Sequence, residues 1–114
     1  MSVFSEKHFS QVDRAGMLLS DQIVTKNVRF RKSSVGYVTD WHVSSDPTLI
    51  VVQSGVLRIT LQNGEYKDFA QGDMFIASDA LPSGVEFESK KHGHKAEVLG
   101  TNSFSAIHIK LGQL

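Results

Sequence analysis

The sequence predicts an all-β protein, a sandwich or barrel, with one short helix near its start. Two observations carry this. Beyond Asn27 the chain reads as strand after strand, broken by turn signals at the eight-to-twelve-residue spacing of sandwiches and barrels. No later segment has a helical period, whereas several alternate apolar and polar residues with the period of two that a strand imposes.

The elements follow in order. Residues 1–26 form an N-terminal segment expected to pack on the barrel, and residues 27–114 form the barrel itself. Within the first segment, residues 13–19 suggest the short helix, with Ser20-Asp21 as its exit. From Asn27 to Lys32, Val28 and Phe30 share one face, Arg29 and Arg31 the other. The short apolar run from Thr48 to Gln53 is rich in β-branched residues, as in a strand buried on both faces. After the Ser54-Gly55 turn comes the cleanest alternation, Leu57, Ile59 and Leu61 against Arg58, Thr60 and Gln62. Asn63-Gly64 suits a type I′ hairpin turn, which needs positive φ at both central residues. Residues 65–69 return, Gln71-Gly72-Asp73 turns, and Met74 to Ala77 is a strand. Pro82-Ser83-Gly84 interrupts, residues 85–89 alternate apolar with acidic, and Phe104 to Leu111 closes the fold. In that last strand Ile107, Ile109 and Leu111 form an apolar face opposite Phe104, Ala106, His108 and Lys110.

Composition narrows the function classes. The 114 residues suit one domain with its own core. Without cysteine there is neither a disulfide framework nor a thiolate metal site. Twelve basic residues balance twelve acidic ones and no basic face emerges, which argues against nucleic acid as a partner. The longest apolar stretch, Leu49 to Val52, is too short to span a bilayer, and the first residues lack the pattern of a secretion signal. A cytoplasmic location, with no membrane partner, is the expectation. There is no nucleophile elbow, P-loop, dinucleotide fingerprint or metalloprotease helix.

Gly36, His42, Ser44, Thr48 and Gly55 fall at spacings that resemble the first motif of the cupin superfamily: glycine, His-x-His, glutamate, glycine. Gly72-Asp73 and Pro82-x-Gly84 resemble parts of the second motif, the latter displaced, with Phe87 where a histidine would follow. Phe30-Arg31, Trp41-His42, Gly72 to Asp79 and Gly93-His94-Lys95 are similar to a subgroup of small cupins, with an insertion within residues 80–92. The resemblance implies a single antiparallel β-barrel of jelly-roll type with an internal pocket, and a homodimer. In metal-binding cupins the first motif supplies metal ligands. Here Ser44 replaces the second histidine and Thr48 the glutamate, so the usual four-ligand set is absent and no metal cofactor is expected. A rebuilt divalent transition-metal site would draw on His42 with His94 or His92, with Asp79 or Glu86 adding a carboxylate, or on His108.

Two functions remain open. One is a metal-free cupin that binds a small organic ligand, its pocket lined by Trp41, His42, Ser44, Thr48 and Phe75 with Asp79 and His94 near the mouth. The other is a small cupin enzyme, an isomerase, lyase or dioxygenase, in which His42 works with His94 or Asp79 as catalytic groups. Each residue also has a plainer reading. His42 is equally a hydrogen-bonded buried histidine, and His92 and His94 read as loop residues. His108 reads as structural, Asp79 as a turn cap, Trp41 and Phe75 as core, and Arg29 and Arg31 as solvated. An arginine in the barrel mouth would instead suit a carboxylate-bearing ligand.

Overall fold

The computed structural model describes residues 2–112, so Met1, Gln113 and Leu114 at the ends of the two expected segments lie outside it. Its strands are β1 (Gln11–Arg14), β2 (Met17–Ser20), β3 (Thr25–Ser33), β4 (Thr48–Ser54), β5 (Val56–Leu61), β6 (Tyr66–Phe69), β7 (Met74–Ala77), β8 (His94–Leu99) and β9 (Phe104–Leu111). Two antiparallel sheets make up the body, ordered β3-β9-β4-β7 and β6-β5-β8, and β1-β2 is a separate hairpin. The all-β expectation holds.

The sheets close on one core. β4 and β9 contribute Ile50, Val52, Phe104 and Ala106, and β5 and β8 contribute Leu57, Ile59, Leu61, Ala96 and Val98. The alternation read in β5 therefore describes an inward apolar row. At the passage from β4 to β5, Gly55 has φ +80°, and a Cβ there would sit 2.6 Å from the Ser103 carbonyl oxygen. Only glycine fits both the left-handed backbone and the close approach.

Four expectations need correcting. Residues 13–19 are not helical: they belong to the β1–β2 hairpin, in which Arg14 pairs with Met17. Ala15 (φ 53°) and Gly16 (φ 93°) occupy its two-residue loop, and Asp13 Oδ1 accepts the Gly16 N–H at 3.0 Å. Both central residues are left-handed, as a type I′ turn demands. The apolar triplet Met17-Leu18-Leu19 imitated a helical stripe, and local turn geometry decided otherwise. Asn63-Gly64, by contrast, is not type I′, because only Gly64 has positive φ; its loop closes through Gly64 N–H to Leu61 and Leu61 N–H to Glu65. Residues 85–89 form no strand, but part of a long loop that Gln62 Nε2 clasps through the Ser89 and His92 carbonyls. The strand lies later, at β8, because its alternating residues pair along β5 and bury Ala96 and Val98.

The fourth correction concerns faces. The sequence places Arg29 and Arg31 in solvent and Ile107 and Ile109 on the apolar side. In the β3-β9-β4-β7 sheet the inward row instead carries Arg31, Ala106 and Val52, followed by His108, Ile50 and Phe75. Arg29 remains exposed, whereas Arg31 is half-buried and turned toward the interior.

Candidate functional site

Residues 37–42 run antiparallel beside β8 and fix the position of His42. Val98 N–H donates to Tyr37, Thr39 N–H to Ala96, and His42 and His94 exchange backbone hydrogen bonds at 3.0 and 2.8 Å. Thr39 Oγ1 accepts the Ala96 N–H at 2.9 Å. This pairing brings two imidazoles together with centroids 4.4 Å apart. Gly93 makes it feasible: with φ +87°, it lies where any Cβ would strike the His42 carbonyl.

His94 is the buried member. Its Nδ1 lies 2.7 Å from Asp79 Oδ2, and the side chains are 10% and 17% exposed. Ser2 Oγ donates to the same oxygen at 2.6 Å, and Ser44 N–H to Oδ1 at 2.9 Å. Burial pushes the Asp79 carboxyl upward, but the bonds from His94, Ser2 and Ser44, with the attraction of His94, more than offset it. The carboxyl is held well below the ordinary range and is ionised at neutral pH. A carboxylate only accepts, so the bonded His94 nitrogen carries a proton, and in the neutral ring the lone pair is on Nε2. Likewise His42 Nδ1 donates to the Asp40 carbonyl at 2.8 Å, leaving its lone pair on Nε2. Asp79 thus orients His94 and sets its tautomer, as carboxylates do beside working histidines.

Between the sheets is a cavity of about 140 Å³. His42, Ser44, Thr48, Phe75 and His94 line it, over a floor that includes Ile50, Leu57 and Ile59. Five of the seven sequence candidates therefore meet here. Asp79 stands behind His94, and Trp41 lies apart, its ring 5.0 Å from Lys95 Nζ. His42 sits exposed at the mouth rather than buried, and His94 is a buried strand residue rather than a loop residue. His92 does stay in the loop, its Nδ1 accepting the Glu88 N–H at 3.0 Å. Glu86 is exposed in the same loop. Arg31 and His108 also line the cavity, their Nη1 and Nε2 atoms 3.4 Å apart. Their shared strand face was the available signal, hidden because the opposite face is more apolar.

Several solved structures resemble the chain. A cupin superfamily protein from Desulfitobacterium hafniense matches with TM-score 0.50 and 16% identity, over 79% of this chain and 73% of that one. The chain has a cupin-like fold. A conserved Streptococcus pyogenes protein of unknown function matches with TM-score 0.50 and 13% identity, over 95% and 96%. A Neisseria meningitidis protein gives TM-score 0.48 and 14% identity over 96% and 89%. No family model matches the chain, and neither does any curated protein.

The donor set of this site does not fit a transition metal. Ser44 and Thr48 offer only neutral hydroxyls, and both oxygens of Asp79 accept hydrogen bonds. Among the described residues no group of three His, Cys, Asp or Glu side chains converges to hold an ion. The His42–His94 pair alone does not complete the three-ligand minimum of a transition-metal site, and His108 does not converge with it. Nor, among the described residues, is any helix long and apolar enough to cross a membrane.

Proposed function

We propose that this protein binds a small organic molecule between its sheets, with His42 and His94 as polar contacts and Asp79 holding His94 in place. The supporting observation is the cavity's make-up: an apolar floor beneath a few fixed polar groups, the usual composition of a small-molecule site. Ala77 on the cavity wall permits a direct test. An NMR screen of small polar organic compounds should give hits that shift the Ile50 and Ile59 methyls, and Ala77→Leu should abolish them by filling the space. Hits that persist in that variant, or that perturb only the exterior, would overturn the reading.

A second reading, acid–base catalysis, is favoured by the 2.7 Å Asp79–His94 bond. A carboxylate behind an imidazole raises its capacity to take a proton from a bound C–H or O–H acid. In D₂O, small carbonyl compounds should then exchange protons next to the carbonyl at a rate that collapses in His94→Gln. Equal exchange in the two proteins would discard catalysis and leave binding intact.

The partner we propose is a second copy of the chain. On the outer face of the four-stranded sheet, the rows Val28-Ile109-Leu49-Ile76 and Phe30-Ile107-Val51-Met74 are apolar throughout. Phe30 and Met74 are 78% and 62% exposed. At strand spacings of about 4.8 Å the patch covers roughly 300 Å². A stable interface needs about 800 Å² per partner. The hairpin can supply the rest: all its residues are exposed, Val12, Met17 and Leu18 among them. Exchange between two copies covers both features at once around a two-fold axis. Light scattering should give a dimer at micromolar concentration and a monomer for Phe30→Glu. A wild-type monomer across that range refutes it.

A further inference from the structure

We infer that Arg31 forms a carboxylate subsite at one end of the cavity, so that the ligand is a small organic monoanion. This rests on the reading that the cavity holds an organic molecule, and names its class.

Among the described residues Arg31 is a fixed, half-buried cation without an anion. Its Nε–H donates to Ser33 Oγ at 2.9 Å, and its guanidinium lies 5.2 Å from the ring centroids of both Tyr37 and Phe104. Those contacts set the plane of the fork and leave Nη hydrogens for a ligand. Among the described residues Arg31 makes no ion pair, unlike Arg58, whose two bonds to Asp68 measure 2.8 and 3.0 Å. Among the described residues, none that lines the cavity is acidic. A guanidinium does not escape burial by losing its proton, so a partly desolvated arginine gains from a planar, bidentate acceptor.

Three observations define that acceptor. The neighbouring imidazole, His108, is biased toward neutrality by burial and by Arg31 and Arg29, so the subsite carries one positive charge. The floor is hydrocarbon, with Ile50, Leu57 and Ile59, and favours an organic body over an inorganic anion. The volume of about 140 Å³ is close to that of a cavity (~150 Å³) able to hold benzene, which sets the ligand at about four to seven non-hydrogen atoms. Arg31 is also remote from the histidine pair. Its guanidinium lies against the Tyr37 ring, and Tyr37 pairs with Val98, four residues from His94 on β8, about 13 Å along the strand. A carboxylate at Arg31 therefore keeps clear of Asp79.

The test compares butyrate, butan-1-ol and inorganic phosphate by NMR titration of wild type, Arg31→Gln and Arg31→Lys, read at the Ile59 methyls. Butyrate should bind wild type at least about tenfold more tightly than butan-1-ol, as a charge-assisted bidentate contact requires. Phosphate should leave these methyls unmoved. Arg31→Gln should bring butyrate down to the alcohol's affinity without changing the alcohol, whose binding also reports that the variant is folded. Arg31→Lys keeps the charge without the fork, and should fall between. Equal affinity of acid and alcohol for wild type would overturn the carboxylate subsite while leaving the organic pocket standing. Phosphate matching butyrate would overturn the organic monoanion, and no methyl shift with any probe would remove both readings.

Discussion

Replacing Asp79 by Asn keeps the shape of the residue and removes its charge. The carboxylate accepts three hydrogen bonds, from His94, Ser2 and the Ser44 N–H. Bonds to a charged group contribute about 1.5–3 kcal/mol each, against roughly 1 kcal/mol between neutral partners. Each exchange thus costs about 1 kcal/mol, and three sum to about 2–3 kcal/mol, with partial solvent screening at the lower end. In a domain of this size that is a fall in Tm of roughly 8–12 °C. The carboxamide also turns a donor toward His94 Nδ1, so the neutral ring should move its proton to Nε2. Urea melts at pH 7 measure the first effect, and ¹⁵N shifts of the His94 ring measure the second. The pH dependence has a fixed sign. The native carboxyl is depressed below its unfolded value of about 3.9, so its contribution is complete above that value and is lost as pH falls toward the native one. The gap between wild type and variant should narrow on acidification below about pH 4. A variant within ~0.5 kcal/mol of wild type at pH 7, with its His94 tautomer unchanged, refutes the assigned role.

Three further outcomes follow from the same contacts. Gly93→Ala meets both the left-handed backbone and the His42 carbonyl, and should cost at least about 1–3 kcal/mol in chemical denaturation while shifting the His42 and His94 amide resonances. Phe104→Ala removes a fully buried side chain and should cost about 3–5 kcal/mol; a smaller loss would mean that the Arg31 end collapses to fill the space. His108 should titrate below the ordinary ~6.5 in the folded protein, because burial and the two arginines disfavour its cation. Stability linked to it is complete above that unfolded value and is lost as pH drops through the native one, and Arg31→Gln should raise the NMR midpoint.

Much of the fold was legible because period-two alternation and turn chemistry are local. β5 announced itself through Leu57, Ile59 and Leu61, and these are the side chains that bury. Local signals misled where two structures use the same residues. Met17-Leu18-Leu19 satisfies a helical stripe as well as a hairpin arm, and the positive φ of Ala15, a residue with no preference for it, left no trace in composition. β8 is hidden in the sequence because Gly93-His94-Lys95 reads as a solvated loop until β5 is there to pair with it.

At the site, the sequence by itself determined the inventory: a glycine-spaced His42, Ser44 and Thr48, and an aspartate and a histidine further along the chain. Only the tertiary structure decided their arrangement. It set Asp79 behind His94 instead of at the mouth, and turned Arg31 and His108 inward although the opposite faces of β3 and β9 are the more apolar. The physical reason is that alternation assigns residues to two faces without saying which is inside. That choice depends on the whole sheet, on where its partner sheet closes, and on what covers the other side.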